Sequence, residues 1–124
     1  MVFIKIKVKG YLKNITDNEK FEFEEKGIRN KNKIVYSCNN IKHTIKINDS
    51  DIILVREGND FINTFVFNVN NGCCNYFLKE NNYEVDIEVN TLNMDINDEN
   101  IYIKYLVVDS NIEYEYKIEM SDVL

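Results

Sequence analysis

The chain has 124 residues, 44% of them apolar, which is material for one hydrophobic core and too apolar for a disordered segment. Proline, tryptophan, alanine and glutamine are absent, while isoleucine (17), asparagine (20), tyrosine (8) and phenylalanine (7) dominate, so helix bundles and coiled coils lack their usual residues. Fifteen basic residues against 21 acidic ones leave a net charge of −6, the wrong sign for a surface that displaces counterions from nucleic acid.

Apolar and polar residues alternate with period two along most of the chain. The first predicted strand covers 2–12, with Ile4, Ile6, Val8, Gly10 and Leu12 on one face and Lys5, Lys7 and Lys9 on the other. After a turn at Thr16-Asp17-Asn18, the second runs over 19–29, with Phe21, Phe23, Glu25 and Gly27 in one phase. The third, around Ile34–Cys38, is short. Asn39-Asn40 is a turn pair. The fourth sets Ile41, His43, Ile45 and Ile47 on one face, and the fifth, 52–57, is apolar on both faces at its start.

The sixth covers 61–69, with Phe61, Asn63, Phe65, Phe67 and Val69 in phase. Asn70-Asn71-Gly72 is the strongest hairpin signal. The seventh is 73–79. The eighth, 83–94, alternates Tyr83, Val85, Ile87, Val89 and Thr91 with Glu84, Asp86, Glu88 and Asn90. The ninth covers 101–108. The tenth alternates Ile112, Tyr114, Tyr116, Ile118 and Met120 with Glu113, Glu115, Lys117 and Glu119.

Ten strands joined by short links predict an all-β chain forming one domain over 1–124. It is an antiparallel meander that must close or fold over to bury its apolar face, as a barrel of eight to ten strands or a sandwich. Charge suggests where it closes. The first half carries +3 and the second −9. Placing the last strand beside the first sets Lys5, Lys7 and Lys9 between Glu22 and Glu24 on one side and Glu113, Glu115 and Glu119 on the other. Each such cross-strand pair is worth ~0.2–1 kcal/mol. The plainer alternative is that exposed strand faces carry charge anyway.

Three cysteines, Cys38, Cys73 and Cys74, are no disulfide framework, and with one histidine they make no zinc pattern. The N-terminal stretch has alternating lysines rather than a signal peptide's apolar run, and nothing approaches the ~20 apolar residues that cross a bilayer. The expectation is a cytoplasmic chain with reduced thiols, no membrane association and no nucleic acid partner.

The chain resembles the YwiB-like family (DUF1934) of uncharacterised bacterial β-barrel proteins over roughly residues 2–120. The resemblance rests on Ile4–Gly10, Glu25-Lys-Gly27, Lys42–Lys46, Val55-Arg-Glu-Gly58, Phe65-Val-Phe67 followed by Gly72, Tyr76, Thr91-Leu92 and Tyr105. A family turn with Pro and Gly is replaced here by Leu78–Tyr83, which has neither. The resemblance implies a calycin-like, lipocalin-like barrel and brings no activity with it.

Candidate ligand-binding residues are Arg56, His43, Glu25, Tyr105 and Phe67. Arg56, one of two arginines, either holds an anion at the barrel mouth or pairs with a strand carboxylate or backbone carbonyls; the second reading is preferred. His43, in phase with isoleucines, reads first as a hydrogen-bonded core residue. Glu25 must be paired or wet if it faces inward, and Arg56 or His43 could partner it. Asn63 and Asn75 are taken as further inward polar groups. Phe61, Phe65, Phe67, Tyr36, Tyr105, Tyr114 and Tyr116 either line an apolar pocket or fill the barrel, and filling is preferred.

No phosphate loop, nucleophile elbow or metal set appears, so no catalytic residue, cofactor or metal is expected. The leading expectation is non-enzymatic binding of a small apolar or amphipathic ligand at the barrel mouth. The alternative is a protein-interaction scaffold with a packed barrel that engages a partner or a second copy of itself. A weaker third reading is a cryptic enzyme built on Glu25, His43 and Arg56.

Overall fold

The computed structural model describes residues 2–69 and 71–123, which form ten strands and no helix. They are β1 (Ile4–Asn14), β2 (Glu19–Arg29), β3 (Lys33–Cys38), β4 (Ile41–Ile47), β5 (Ile52–Glu57), β6 (Phe61–Phe67), β7 (Gly72–Leu78), β8 (Tyr83–Ile96), β9 (Asn100–Val107) and β10 (Ile112–Asp122). Every strand pairs antiparallel with its neighbours in the chain, and β1 pairs with β10, so the sheet closes into a barrel.

Of the three lysines expected to meet acidic strands at this closing seam, Lys9 alone has acidic partners on both sides, and Lys5 lies opposite Ile28. Lys9 lies opposite Glu24 on one side and Glu119 on the other. Lys7 faces Lys26 and reaches across to Glu24 instead. Further along the same seam, Glu115 accepts hydrogen bonds from the Tyr11 hydroxyl (2.7 Å) across it and from the Tyr102 hydroxyl (2.6 Å) on β9. These bonds, Tyr102's first, hold the Glu115 carboxyl below the usual range. Burial and the Glu115 bond push Tyr11 up to about 12.

The asparagines divide by barrel end. At one end, Asn18, Asn39, Asn40, Asn82 and Asn111 adopt positive φ in the links that follow β1, β3, β7 and β9. Asparagine tolerates this conformation because its short polar side chain bonds locally. At the other end, Asn48 donates to Asp51, Asn68 to Asn71, and Asn97 accepts from the Glu99 and Asn100 amides. Among the described residues these side chains complete the turns without left-handed backbone.

The two ends also differ in filling. Towards the second end, the inner positions are Ile6, Val8, Ile34, Ile45, Ile52, Ile101, Ile103 and Ile118, all fully buried. Branched side chains on a pleated surface close this end as a plug. Towards the first end the ladders open. β2 joins β3 only through Gly27–Arg29, and β8 joins β9 only from Val89 onward. The inner-phase Phe21, Tyr83 and Val85 lie on these splayed segments, which is why they are exposed.

Several sequence expectations shift. β1 runs on to Asn14 and β10 to Asp122, while β6 stops at Phe67 and leaves Val69 exposed. In β8 the inner phase changes after Thr91, where a β-bulge makes Leu92 the extra, exposed residue and brings Met94 and Ile96 inward. The Asn70-Asn71-Gly72 signal falls partly outside the described residues, at Asn70. Gly72 has ordinary φ and already belongs to β7. A Cβ there would lie 2.5 Å from the Val66 carbonyl oxygen, so close backbone approach, not turn geometry, requires this glycine. Asn75 faces outward, donating to Asp86 (2.8 Å) and Glu84, because Cys74 takes the inner position between Phe65 and Ile87.

Candidate functional site

An inner row crosses four strands halfway along the barrel. Tyr36 on β3 lies opposite His43 on β4, His43 opposite Arg56 on β5, and Arg56 opposite Asn63 on β6. The period-two phase of each strand fixes this row, because Ile34, Ile45, Leu54 and Phe65, two residues away, are buried in the core.

Between this row and the splayed end lies an open cavity of about 300 Å³. That is the low end of the range for small-molecule sites, ~300–1,000 Å³. Its floor is Leu54, Phe65, Phe67 and Tyr105. The aromatic rings of the floor pack at 5.0 to 5.6 Å, with Tyr105 tilted against the two phenylalanines. Tyr116, Leu12, Phe21 and Phe23 form one wall, and Tyr36, Cys38, Ile41, His43 and Arg56 the other. Phe23, Tyr36 and His43 stack in sequence, at 5.4 Å and then 4.6 Å, bridging the gap where the β2–β3 ladder has stopped. The barrel is therefore neither filled nor hollow. Isoleucines plug one end, aromatic rings cap the plug, and the other end is empty.

The polar groups of the inner row and of the cavity walls divide into satisfied and unsatisfied. The Tyr36 and Tyr116 hydroxyls bond each other at 2.7 Å. Burial pushes both phenols well above their ordinary range, so both stay neutral. The Asn63 amide oxygen accepts from the Cys74 thiol at 2.9 Å, and burial pushes that thiol up to about 11. His43 and Arg56 differ. The His43 Nδ1 and the Arg56 Nε are buried with no hydrogen-bond partner. Burial first, and the Arg56 charge second, bring the His43 imidazole down to about 4.

The preferred sequence readings of these two residues therefore fail on geometry. Arg56 has no ion pair and no hydrogen bond to a carboxylate or carbonyl among the described residues, and His43 is not a hydrogen-bonded core residue at Nδ1. Glu25 does face inward, opposite Val8, but it does not line the cavity. Instead it adds to burial in pushing the Cys38 thiol upward. Glu25, His43 and Arg56 are thus not gathered into one acid–base set. Tyr105 and Phe67 both line the cavity, as does the Tyr36–Tyr116 pair, whereas Phe61 stacks on Tyr76 and Tyr114 packs behind Tyr105. Sequence reasoning missed Leu12, Phe23 and Leu54. Phe23 shares the phase of Glu25, but only the splay of β2 turns it into a wall. Among the described residues no group of three or more His, Cys, Asp or Glu could hold a metal ion.

The His43 environment makes a pH prediction. An imidazole whose proton affinity falls on folding binds its proton more readily in the unfolded chain. Stability is then fully kept above about pH 6.5 and declines as the pH drops towards about 4. The melting temperature of the wild type should fall more steeply across that window than that of His43→Phe. Carboxylates such as Glu115 titrate in both chains and cancel. Parallel curves would show that the imidazole is solvated in the fold.

The fold is similar to that of the ywiB protein from Bacillus subtilis in its crystal structure. The match covers 98% of this chain and 92% of that one, with a TM-score of 0.70 and 17% sequence identity. The resemblance to the YwiB-like family seen in the residues thus extends to the whole barrel, as a likeness of fold. No family model and no curated protein matches the chain.

Proposed function

We propose that the chain is a non-enzymatic binding protein for a small, partly apolar molecule held in the open end of the barrel. One observation carries this reading: an aromatic-floored cavity of about 300 Å³ sits beside two inward polar groups that the protein leaves without partners. Native interiors satisfy nearly all buried polar atoms, so two orphans beside one cavity favour a missing partner. The calycin-like character implied by the family resemblance agrees with such a role.

The neutral dye N-phenyl-1-naphthylamine should bind with saturable one-to-one stoichiometry and enhanced emission. Leu54→Trp, which fills the floor, should abolish binding while the chain still melts cooperatively. Unsaturable binding by the wild type, or full binding by Leu54→Trp, would rule the cavity out as the site.

A second reading, a protein-interaction scaffold or homo-oligomer, draws support from the outer face. Phe3, Ile28 and Val123 are exposed near the plugged end. Ile28 faces Lys5, whose carbonyl accepts from the Val123 amide. Light scattering at micromolar concentration separates the two readings, since a stable dimer that Ile28→Glu dissolves would favour this surface.

We place the chain in the cytoplasm on its thiols. All three cysteines are free, with Cys73 exposed and Cys38 and Cys74 buried. Protein isolated under trapping conditions should titrate three thiols on denaturation, Cys73 alone reacting fast in the native state. A Cys73–Cys74 bridge would contradict this placement. No helix among the described residues is long and apolar enough to cross a membrane.

A further inference from the structure

We propose that the molecule bound in this cavity carries a single carboxylate, held by Arg56 with His43 beside it, and places its apolar body on Leu54, Phe65 and Tyr105. This rests on the cavity being a ligand site at all, and it names the chemical class that site selects.

The argument begins with what Arg56 lacks. The chain has 21 acidic residues, yet none of them forms an ion pair with this arginine. Glu57, its neighbour in the chain, points to the other face of β5 and pairs with Lys79 at 3.0 Å. Glu25, which shares the inner face, stands beside Cys38. The cross-strand neighbours of Arg56 are His43 and Asn63, which bring no negative charge. A guanidinium has five donors and cannot shed its proton, so it cannot become neutral to suit an apolar wall. An arginine with a structural role would have been given a carboxylate, as Lys79 has been.

Arg56 is also the one cation among the described residues lining the cavity. A singly charged ligand balances it. A dianion would bring a second negative charge against walls of leucine, phenylalanine and tyrosine, where an uncompensated charge is costly. Few other donors remain for the extra oxygens of a phosphate. The Tyr36 and Tyr116 hydroxyls bond each other, which uses one of their two protons. What is left is the guanidinium fork, the unpartnered His43 Nδ1 and the one free phenolic proton of the Tyr36–Tyr116 pair. A planar carboxylate matches the fork with two parallel hydrogen bonds. A neutral imidazole with its proton on Nδ1, across the β4–β5 ladder from Arg56, can donate to a second lone pair.

The test compares ligands of one body and different heads. Decanoate, decanol and decyl phosphate are titrated calorimetrically into the delipidated full chain at pH 7. Decanoate should bind at least about tenfold more tightly than decanol, the gain expected of one charge-assisted pair, and more tightly than decyl phosphate. In Arg56→Gln the preference for decanoate over decanol should disappear while N-phenyl-1-naphthylamine still binds. His43→Phe should reduce the preference without removing it.

Equal binding of decanoate and decanol by the wild type, with the dye still saturable, would overturn the carboxylate inference and leave the ligand site standing. Tighter binding of decyl phosphate would replace the carboxylate with a phosphate class and overturn it equally. An undiminished preference in Arg56→Gln would place the anion elsewhere and overturn it too. Failure of the dye to bind the wild type would remove the site itself. The wild-type comparison decides the matter even if Arg56→Gln does not fold.

Discussion

Replacing Phe67 by alanine should lower stability by ~3–5 kcal/mol, the range for emptying a buried aromatic position. For a domain of this size that is a fall in melting temperature of roughly 10–20 °C. Phe67 is almost completely buried and packs against Phe65 at 5.4 Å and Tyr105 at 5.0 Å. It stands where the isoleucine plug meets the cavity floor, so no mobile side chain can collapse into the vacancy from above. Phe21→Ala is the control. Phe21 belongs to the same inner phase but sits half exposed on the splayed part of β2, and its loss should cost under ~1 kcal/mol. Equal losses, measured by urea denaturation, would mean that the floor is not the boundary between a packed and an open half. A second consequence follows from the same geometry. Phe67→Ala deepens the cavity towards the plug, so longer apolar ligands should gain affinity relative to short ones.

The contrast between Phe67 and Phe21 also marks what the sequence could reveal. Period-two alternation placed every strand and assigned both phenylalanines to the inner face, because pleated backbone leaves a side chain only two directions. The opposite signs of Lys9 and its neighbours Glu24 and Glu119 even pointed to the closing seam. Alternation carries no information about how far along the barrel axis two strands remain paired. That depends on stagger and splay, and it decides that Phe21 is half exposed while Phe67 is sealed. The same limit explains the bulge after Thr91, where one extra residue reverses the phase with no local signal in Thr91-Leu92-Asn93. It explains Asn75 as well: adjacent cysteines gave no preference between phases, and Cys74 took the inner one.

The candidate site was legible in its residues and hidden in their pairing. His43 and Arg56 stood out as polar residues on apolar strands, and the usual expectation is that such residues find partners within the fold. Whether they do is a question of register between β4, β5 and β2. Glu25 lies opposite Val8 and beside Cys38, off the row that holds Arg56, and only the register of β1, β2 and β3 says so. Tyr36 and Tyr116 are 80 residues apart and bond each other, which uses one of the two phenolic protons at the cavity. The site is defined by what is left over after these pairings, and a remainder cannot be read from a list of residue types.

Gly10→Val should be the most disruptive single change at the seam, at about 3 kcal/mol or more, the upper end for overpacking a closed site. Gly10 lies on the inner face of β1 between Phe23 on β2 and Ile118 on β10. A Cβ at this position would collide with the Lys117 carbonyl oxygen and sit 2.8 Å from Ile118 Cγ2. A side chain could swing aside, but a carbonyl in the β1–β10 ladder can move only if the ladder moves. Glycine here lets β1 coil sharply where the barrel closes, as small residues do at barrel corners. Gly58 supplies the comparison. Its added Cβ would meet the Phe61 ring at 2.7 Å, a side chain at the edge of an open turn that can rotate away. Gly58→Ala should therefore cost far less than even Gly10→Ala, with both followed by denaturant midpoint. If the two alanine variants lost the same stability, the tight approach of Lys117 to Gly10 would not be what closes the barrel. Should Gly10→Val fail to accumulate as folded protein, Gly10→Ala still decides, because its single methyl meets the same carbonyl.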